Sequence, residues 1–389
     1  MDKNKFEQIM SSNVNNIEIS GIRKFFNKVS KYKNAVSLTL GQPDFPVPAK
    51  IKEAMIGAIN ENKTTYTSNA GIEELRIEIS RYLKGNSIEY KSDEICLTIG
   101  GSEGLMDVFA ALINSGDKVL IPTIAYPAYE SCVKLFGGKV VNYDLEKDFT
   151  IDAKSLSQLM DSEKPKVLVI SYPCNPTGAI LSREKRDKIA ELLKQKDIIV
   201  VTDEMYGSII FDSKYYSIAQ NNEIRDKVIL VSGFSKMFSM TGLRLGYVCA
   251  DENLMKGIMK VHQYNVSCAP SIVQWGALAG LKYCLQDAEH MCREFKNRRD
   301  YMYDRLIKMG IEVNLPQGAF YMFPRISSKF KSSEEFCQKM LQEALVAAVP
   351  GSAFGKGGEG YFRISYAYSM DQLKVCCDRM EQWLMSYKE

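Results

Sequence analysis

Histidine and tryptophan are scarce in this chain, with two of each among 389 residues. With only His262 and His290 present, a histidine-built metal site is not expected. The ten cysteines form no C-x-x-C pair, and most sit in apolar runs. They read as reduced core residues of a cytosolic protein, not as a disulfide framework. No apolar run reaches the roughly 18 residues that suggest a membrane helix. The opening Met1-Asp-Lys-Asn-Lys-Phe6 lacks the apolar centre of a secretion signal. No long block of like charge occurs, and the net charge is only +3. That balance is too mild to predict nucleic acid or membrane binding from charge, and neither is expected as a partner.

What is present is an ordinary globular composition, 46% hydrophobic and 25% charged. From residue 93 onward, short apolar runs alternate with helix-period segments. Strands are expected at Ile95–Ile99, Lys118–Ile121, Lys139–Tyr143, Lys166–Ser171, Ile198–Thr202, Val228–Ser232 and Leu245–Ala250. Helices are expected between most of them, at Glu103–Ile113, Arg183–Lys194 and Glu252–His262 among others. The runs are apolar throughout, as in strands covered on both faces. The fold class is therefore α/β, with a mostly parallel seven-stranded sheet flanked by helices. Near residue 285 the pattern changes to a long charged helix, Asp287–Met309, followed by short strands and helices. We expect a large unit over 46–285 and a smaller α+β unit over 286–389 that residues 1–45 join.

The chemistry-bearing residues fall where these strands end. Gly100-Gly101-Ser102-Glu103-Gly104 follows the first large-unit strand and opens a helix. Such a turn cradles a phosphate, or is simply a strand-to-helix connection. It is not G-x-G-x-x-G, which argues against a nicotinamide dehydrogenase. Tyr126, Asn175, Asp203 and Lys236 follow later strands. The C-terminal edge of such a sheet is where α/β folds bind ligands. An aromatic ring, an amide, an acid and a lysine thus gather with the glycine turn around one crevice. A lysine set between buried strands can lose its proton near neutral pH and attack carbonyls.

At this point the chain resembles the class I/II aminotransferases of fold type I, which depend on pyridoxal 5'-phosphate. The resemblance runs from about Ile17 to the C-terminus. It is carried by Gly41-Gln-Pro-Asp-Phe45, Asn175-Pro-Thr-Gly178, Asp203-Glu-Met-Tyr206, Ser235-Lys236 with Arg244, and Phe362-Arg363-Ile-Ser365. The resemblance implies that Lys236 forms the internal Schiff base and Asp203 pairs with the ring nitrogen. It implies that Tyr206 and Asn175 bond the phenolic oxygen and that Tyr126 stacks on the ring. Gly101, Ser102, Glu103, Ser235 and Arg244 would hold the phosphate, joined by Tyr66 across the interface of a homodimer. Arg363 would bind the substrate carboxylate beside Gly41. Two departures are visible: Gly233 stands where many relatives have serine, and Leu243 where many have tryptophan.

The segments Ile17–Phe25 and Val261–Ala269 look like the subgroup acting on N-acetyl-LL-diaminopimelate, and the aspartate subgroup is similar too. The resemblance therefore implies an amino donor or acceptor ending in a carboxylate, with glutamate and 2-oxoglutarate as one pair. Arg23 would line the side-chain pocket, unless it is a solvated helix residue. A carbon–sulfur lyase shares the fold and the lysine. A regulator with an aminotransferase-like domain would need a DNA-binding module, and the segment before Gly41 is not strongly basic.

Overall fold

The computed structural model describes residues 8–387. Its strands are, in chain order, β1 (Val36–Ser37), β2 (Ile95–Thr98), β3 (Lys118–Pro122), β4 (Lys139–Tyr143), β5 (Val167–Ser171) and β6 (Ile199–Asp203). They continue with β7 (Val228–Gly233), β8 (Gly246–Cys249), β9 (Tyr321–Met322), β10 (Val346–Ala347), β11 (Val349–Pro350) and β12 (Phe362–Ser365). Seven of them build one sheet in the order β2-β8-β7-β6-β5-β3-β4. The sheet is mixed: β8 runs antiparallel to both β2 and β7, and the other pairs are parallel. The α/β expectation and the seven strands agree with this architecture, and their ends fall within about two residues of the expected ones.

The reason these apolar runs become central strands is visible in their alternation. Val167, Val169, Val201, Ile229 and Val231 pack on one face with Val108 and Ile258 of the helices Gly100–Leu112 and Glu252–Asn265. Leu168, Ile170, Val200 and Leu230 point the other way, into a core with Leu75, Ile79 and Ala277. Each such fully buried side chain contributes about 1.5–3 kcal/mol. Successive residues reach opposite faces because the strand repeat is two. The helix Ser271–Tyr283 lacks a polar face to mark it, since eight of its residues are buried. Gly276 and Gly280 let it approach Ile51 and Met55 of the helix Ala49–Asn60, where a Cβ would meet side chains at 2.6–3.0 Å.

A separate core holds the rest. Phe295, Met302, Phe320, Phe336, Ile364 and Trp383 pack together, and Phe25, Val29 and Leu38 join them from the N-terminal segment. β1 pairs in parallel with β10. β12 lies between β11 and β9, antiparallel to both. This arrangement carries Thr39, Leu40 and Gly41 from one end of the chain, and Arg363 from the other, to the C-terminal edge of the large sheet. Among the described residues, no helix is long and apolar enough to cross a membrane.

Candidate active site

A cavity of ≈ 240 Å³ opens at that edge. Asp203 ends β6, Asn175 follows β5, and Lys236 sits in the one-turn helix Phe234–Met237 that leaves β7. The crossing of β7 and β8 is close. A Cβ on Gly233 would lie 2.7 Å from Gly246 Cα, and one on Gly246 would lie 2.7 Å from the backbone of Gly100. The lysine turn and the glycine turn are therefore pressed together by positions that only glycine fills.

Lys236 Nζ donates to the Gly41 carbonyl oxygen at 2.6 Å. Burial, together with the cations Arg244 and Arg363, lowers its pKa to about 8, against the opposing pull of Asp203. A lysine in that range is neutral for part of the time near physiological pH and can act as nucleophile or base. Burial raises the Asp203 pKa above its usual value. Two hydrogen bonds oppose that rise: Tyr129 Oη donates to Oδ2 at 2.7 Å and Met205 N to Oδ1 at 3.1 Å. An acid held this way is completed by a cation in the cavity.

Arg363 is 2% exposed. Its Nη1 donates to Asn175 Oδ1 at 2.9 Å and its Nη2 to the Thr39 carbonyl at 2.6 Å. Its Nε is buried with no partner. The guanidinium carbon lies 4.5 and 4.9 Å from the ring centroids of Tyr321 and Phe354. With two aromatic rings against it, the guanidinium meets a ligand through the N–H edge of its planar fork, the geometry that a carboxylate accepts. Tyr206 and Tyr321 share a hydrogen bond of 2.7 Å between their hydroxyls. Burial raises the Tyr206 pKa well above the phenol value, with Tyr321 adding to the shift, so Tyr206 stays a donor.

On the other side, Gly100 takes φ +70, and a Cβ there would fall 2.6 Å from Arg244 Nη2. Arg244 is itself left-handed at φ 55 and donates to the Thr241 carbonyl at 3.0 Å. Gly101, Ser102, Ser235 and Arg244 line this end of the cavity wall. Helix Gly100–Leu112 starts there, so its N-terminal dipole favours an anion.

These residues fit pyridoxal 5'-phosphate, the cofactor implied by the resemblance. One cavity offers an amine of lowered pKa, a buried acid for a ring nitrogen, phenol and amide groups for the ring oxygen, and donors on a helix N-terminus for the phosphate. Arg363 lines the same cavity, and the bonds to Asn175 and Thr39 use two of its five N–H groups, which leaves donors for a substrate carboxylate.

The structure brings Gly41, Gly101, Ser102, Tyr126, Asn175, Asp203, Tyr206, Ser235, Lys236, Arg244 and Arg363 together around this cavity. It does not bring in three expected side chains. The Glu103 carboxylate turns inward, to Ile99 N at 2.6 Å and His262 Nδ1 at 2.8 Å. Its position at the helix start allows a backbone role only, because the side chain is used inside the protein. Arg23 is exposed, whereas its neighbour Ile22 lines the cavity. Tyr66 is 87% exposed in the single chain and outside the cavity. Tyr129, Tyr321 and Phe354 were not foreseen. Tyr129 stands three residues beyond Tyr126, in the first turn of the helix Ala128–Leu135, and that nearness in sequence was the available signal; Tyr321 and Phe354 gave none. The letters G-x-G-x-x-G do occur at Gly355–Gly360, but that stretch holds a short 3-10 turn and leads into β12, with no helix after it.

Residues 33–380 match the family profile described as aminotransferase class I and II. A probable N-acetyl-LL-diaminopimelate aminotransferase of Bacillus subtilis (strain 168) is 42% identical over 98% of both chains. An aspartate aminotransferase of Pyrococcus abyssi is 40% identical, over 97% of this chain and 99% of that one. The crystal structure of an aromatic aminotransferase from Pyrococcus horikoshii superposes with a TM-score of 0.89 at 38% identity, covering 94% of this chain and 99% of the other.

Proposed function

The chain belongs to the aminotransferase class I and II family of pyridoxal-phosphate enzymes, and from that membership we propose the following substrates and residue roles. The enzyme exchanges an amino group between an amino acid and a 2-oxo acid, with glutamate and 2-oxoglutarate as one pair. N-acetyl-LL-diaminopimelate or aspartate is the candidate for the other. The observation that carries the reading is the buried Arg363 fork, with its free Nε, in the same cavity as Lys236.

When bound, pyridoxal phosphate supplies an electron sink for charge developing at the substrate Cα. The rest is done by the chain. Arg363 grips the substrate carboxylate and fixes the direction of the Cα–H bond. Lys236 Nζ, neutral above about pH 8, takes the proton from Cα. Asp203, anchored by Tyr129, keeps a negative charge beside the ring nitrogen. Tyr206 and Asn175 donate to the ring oxygen. Tyr126 covers the ring face, and Gly101, Ser102, Ser235 and Arg244 hold the phosphate.

Names of relatives support the dicarboxylate side of this reading, and Arg23, next to the cavity-lining Ile22, is its candidate for the distal carboxylate. Tyr66, largely exposed in one chain, supports a homodimer in which it reaches the partner's phosphate site. All ten cysteines are free, which supports a reducing, cytoplasmic setting. Steady-state rates across a panel of amino and oxo acids test the substrate. A strong preference for aromatic or alanine-type substrates overturns the dicarboxylate assignment. Release of pyruvate and ammonia without any oxo acid overturns amino transfer in favour of a lyase.

A further inference from the structure

Behind the glycine turn lies a cluster of ionisable side chains that the reaction does not use. His262, on the helix Glu252–Asn265, is completely buried. Its Nδ1 lies 2.8 Å from Glu103 Oε1 and 3.1 Å from Asp107 Oδ2. Its Nε2 lies 3.0 Å from the Asn69 carbonyl oxygen. A carbonyl accepts only, so Nε2 carries a proton; two carboxylates beside Nδ1 call for a second one. The ring is therefore an imidazolium. Burial opposes its charge, but hydrogen bonds with Asp107, Cys96 and Glu103 raise its pKa to about 12. The other groups facing it are Asn265, which donates to Asp107 Oδ1 at 3.0 Å, and the Cys96 thiol of β2. Burial raises Glu103 to about 7, while hydrogen bonds from His262, Glu103 and Asn265 overcome burial to lower Asp107.

We propose that His262 is a positioning residue for the phosphate turn: its positive charge screens the Glu103 and Asp107 carboxylates from a phosphate bound at Gly101–Ser102 and fixes the shape of that turn through Glu103. The inference rests on the reading of this cavity as a pyridoxal-phosphate site. Two arguments carry it. Glu103 and Asp107 stand in the first two turns of the helix whose N-terminus receives the anion. Negative charge there suits the helix dipole but repels a phosphate dianion. A cation placed between the two carboxylates offsets one of their two negative charges without competing for the phosphate. Second, Glu103 Oε2 accepts from Ile99 N at 2.6 Å, which holds the backbone just ahead of Gly100 and Gly101. His262 clamps the other oxygen, so the turn is set before any ligand arrives. Through the Asn69 carbonyl the same ring also holds the turn just after Tyr66, and Asn69 Nδ2 ties that turn to the Ser267 carbonyl at 2.7 Å. As fold stabilisation alone the cluster is a poor device, since a buried ion cluster rarely outperforms apolar packing.

The test is equilibrium binding to the full chain at pH 8, where Glu103 is ionised in the unaltered chain, and again at pH 9, because loss of the His262 bond raises the Glu103 pKa further, with three probes: pyridoxal 5'-phosphate, pyridoxal and inorganic phosphate. His262→Asn keeps a neutral donor near the Nδ1 position and removes the charge. It is expected to weaken both phosphate-bearing probes about tenfold, the scale of one charge interaction across a helix turn, and pyridoxal less than twofold. Adding Glu103→Gln to His262→Asn removes a carboxylate and is expected to recover most of the loss. Glu103→Gln alone keeps one acceptor oxygen, enough for the Ile99 N–H, gives up the bond to His262 Nδ1 and removes one negative charge; it is expected to bind inorganic phosphate about threefold more tightly. Unchanged phosphate binding in His262→Asn overturns the proposal. So does a parallel loss of pyridoxal, which marks a packing role, or a double variant that binds more weakly than the single one. Should His262→Asn fail to fold, weaker or unchanged phosphate binding by Glu103→Gln overturns it. If the unaltered chain binds no pyridoxal phosphate, the reading of the cavity itself fails, a result distinct from all of these.

Discussion

Arg363 Nη1 and Asn175 Oδ1 are joined by a 2.9 Å hydrogen bond that spans the two ends of the fold, from β12 to the loop after β5. Asn175 thereby holds the guanidinium, and the Tyr321 and Phe354 rings pack against it. What remains without a protein partner is Nε and the second N–H of each terminal nitrogen. Replacing Arg363 by lysine keeps the charge but loses the fork. The expected result is a fall in kcat/KM for amino acids of about a hundredfold, roughly 3 kcal/mol, carried mostly by KM. Affinity for pyridoxal phosphate is expected to stay within about twofold. Matched steady-state kinetics and cofactor titration check both halves.

Asp203 depends on Tyr129 in the same way. Burial raises the Asp203 pKa, and the Tyr129 hydroxyl is the strongest of the bonds that hold it down. Removing the charge with Asp203→Asn is expected to lower kcat/KM by about a thousandfold, on the order of 4 kcal/mol of transition-state stabilisation. Tyr129→Phe leaves the acid but deletes its donor. Because the folded pKa of Asp203 then rises further, the ionised form is lost at higher pH, and the acid limb of the rate profile moves upward. A limb that stays in place contradicts the assigned partnership.

The Lys236 pKa of about 8 makes a prediction about reactivity with a definite sign. The amine gains its lone pair as pH rises, so the rate of covalent capture of a carbonyl probe climbs through about pH 8 and levels above it. Burial is the first cause of the depression and the Arg244 cation the second. Arg244→Gln removes that cation, so its midpoint is expected at higher pH than in the unaltered chain. Rates measured by stopped-flow across the range check this.

Much of this was legible in the amino-acid order, and the reason is geometric. A strand covered on both faces must be apolar, so Val167–Ser171 and Val228–Gly233 stand out, and the polar residues that follow them are forced to one edge. The side-chain partners were not legible. Tyr321 lies 115 residues from Tyr206 yet shares its hydroxyl bond, and no local pattern encodes such a meeting. The helix Ser271–Tyr283 escaped because burial on nearly all sides erases the amphipathic repeat. Glu103 was legible as part of the glycine turn, but its side chain points to His262, 159 residues away.

Tyr66 carries the prediction about assembly. Its ring is 87% exposed in one chain, just before a turn held by His262 through Asn69. In a homodimer it is expected to donate to the partner's bound phosphate. Tyr66→Phe then weakens pyridoxal phosphate binding by about tenfold to a hundredfold, the worth of one hydrogen bond to a charged group, and leaves pyridoxal binding unchanged. Dilution that dissociates the dimer is expected to abolish the difference between the two proteins. Sedimentation velocity run beside the titration separates the effects, and a fully active monomer contradicts the shared site.

The central claim is that Lys236 is the nucleophile of this cavity. The direct measurement is borohydride reduction of the protein mixed with pyridoxal 5'-phosphate, followed by peptide mass spectrometry. One pyridoxyl group per chain on Lys236, absent from Lys236→Ala, is the predicted result. A pyridoxyl group on another lysine, or none, contradicts it.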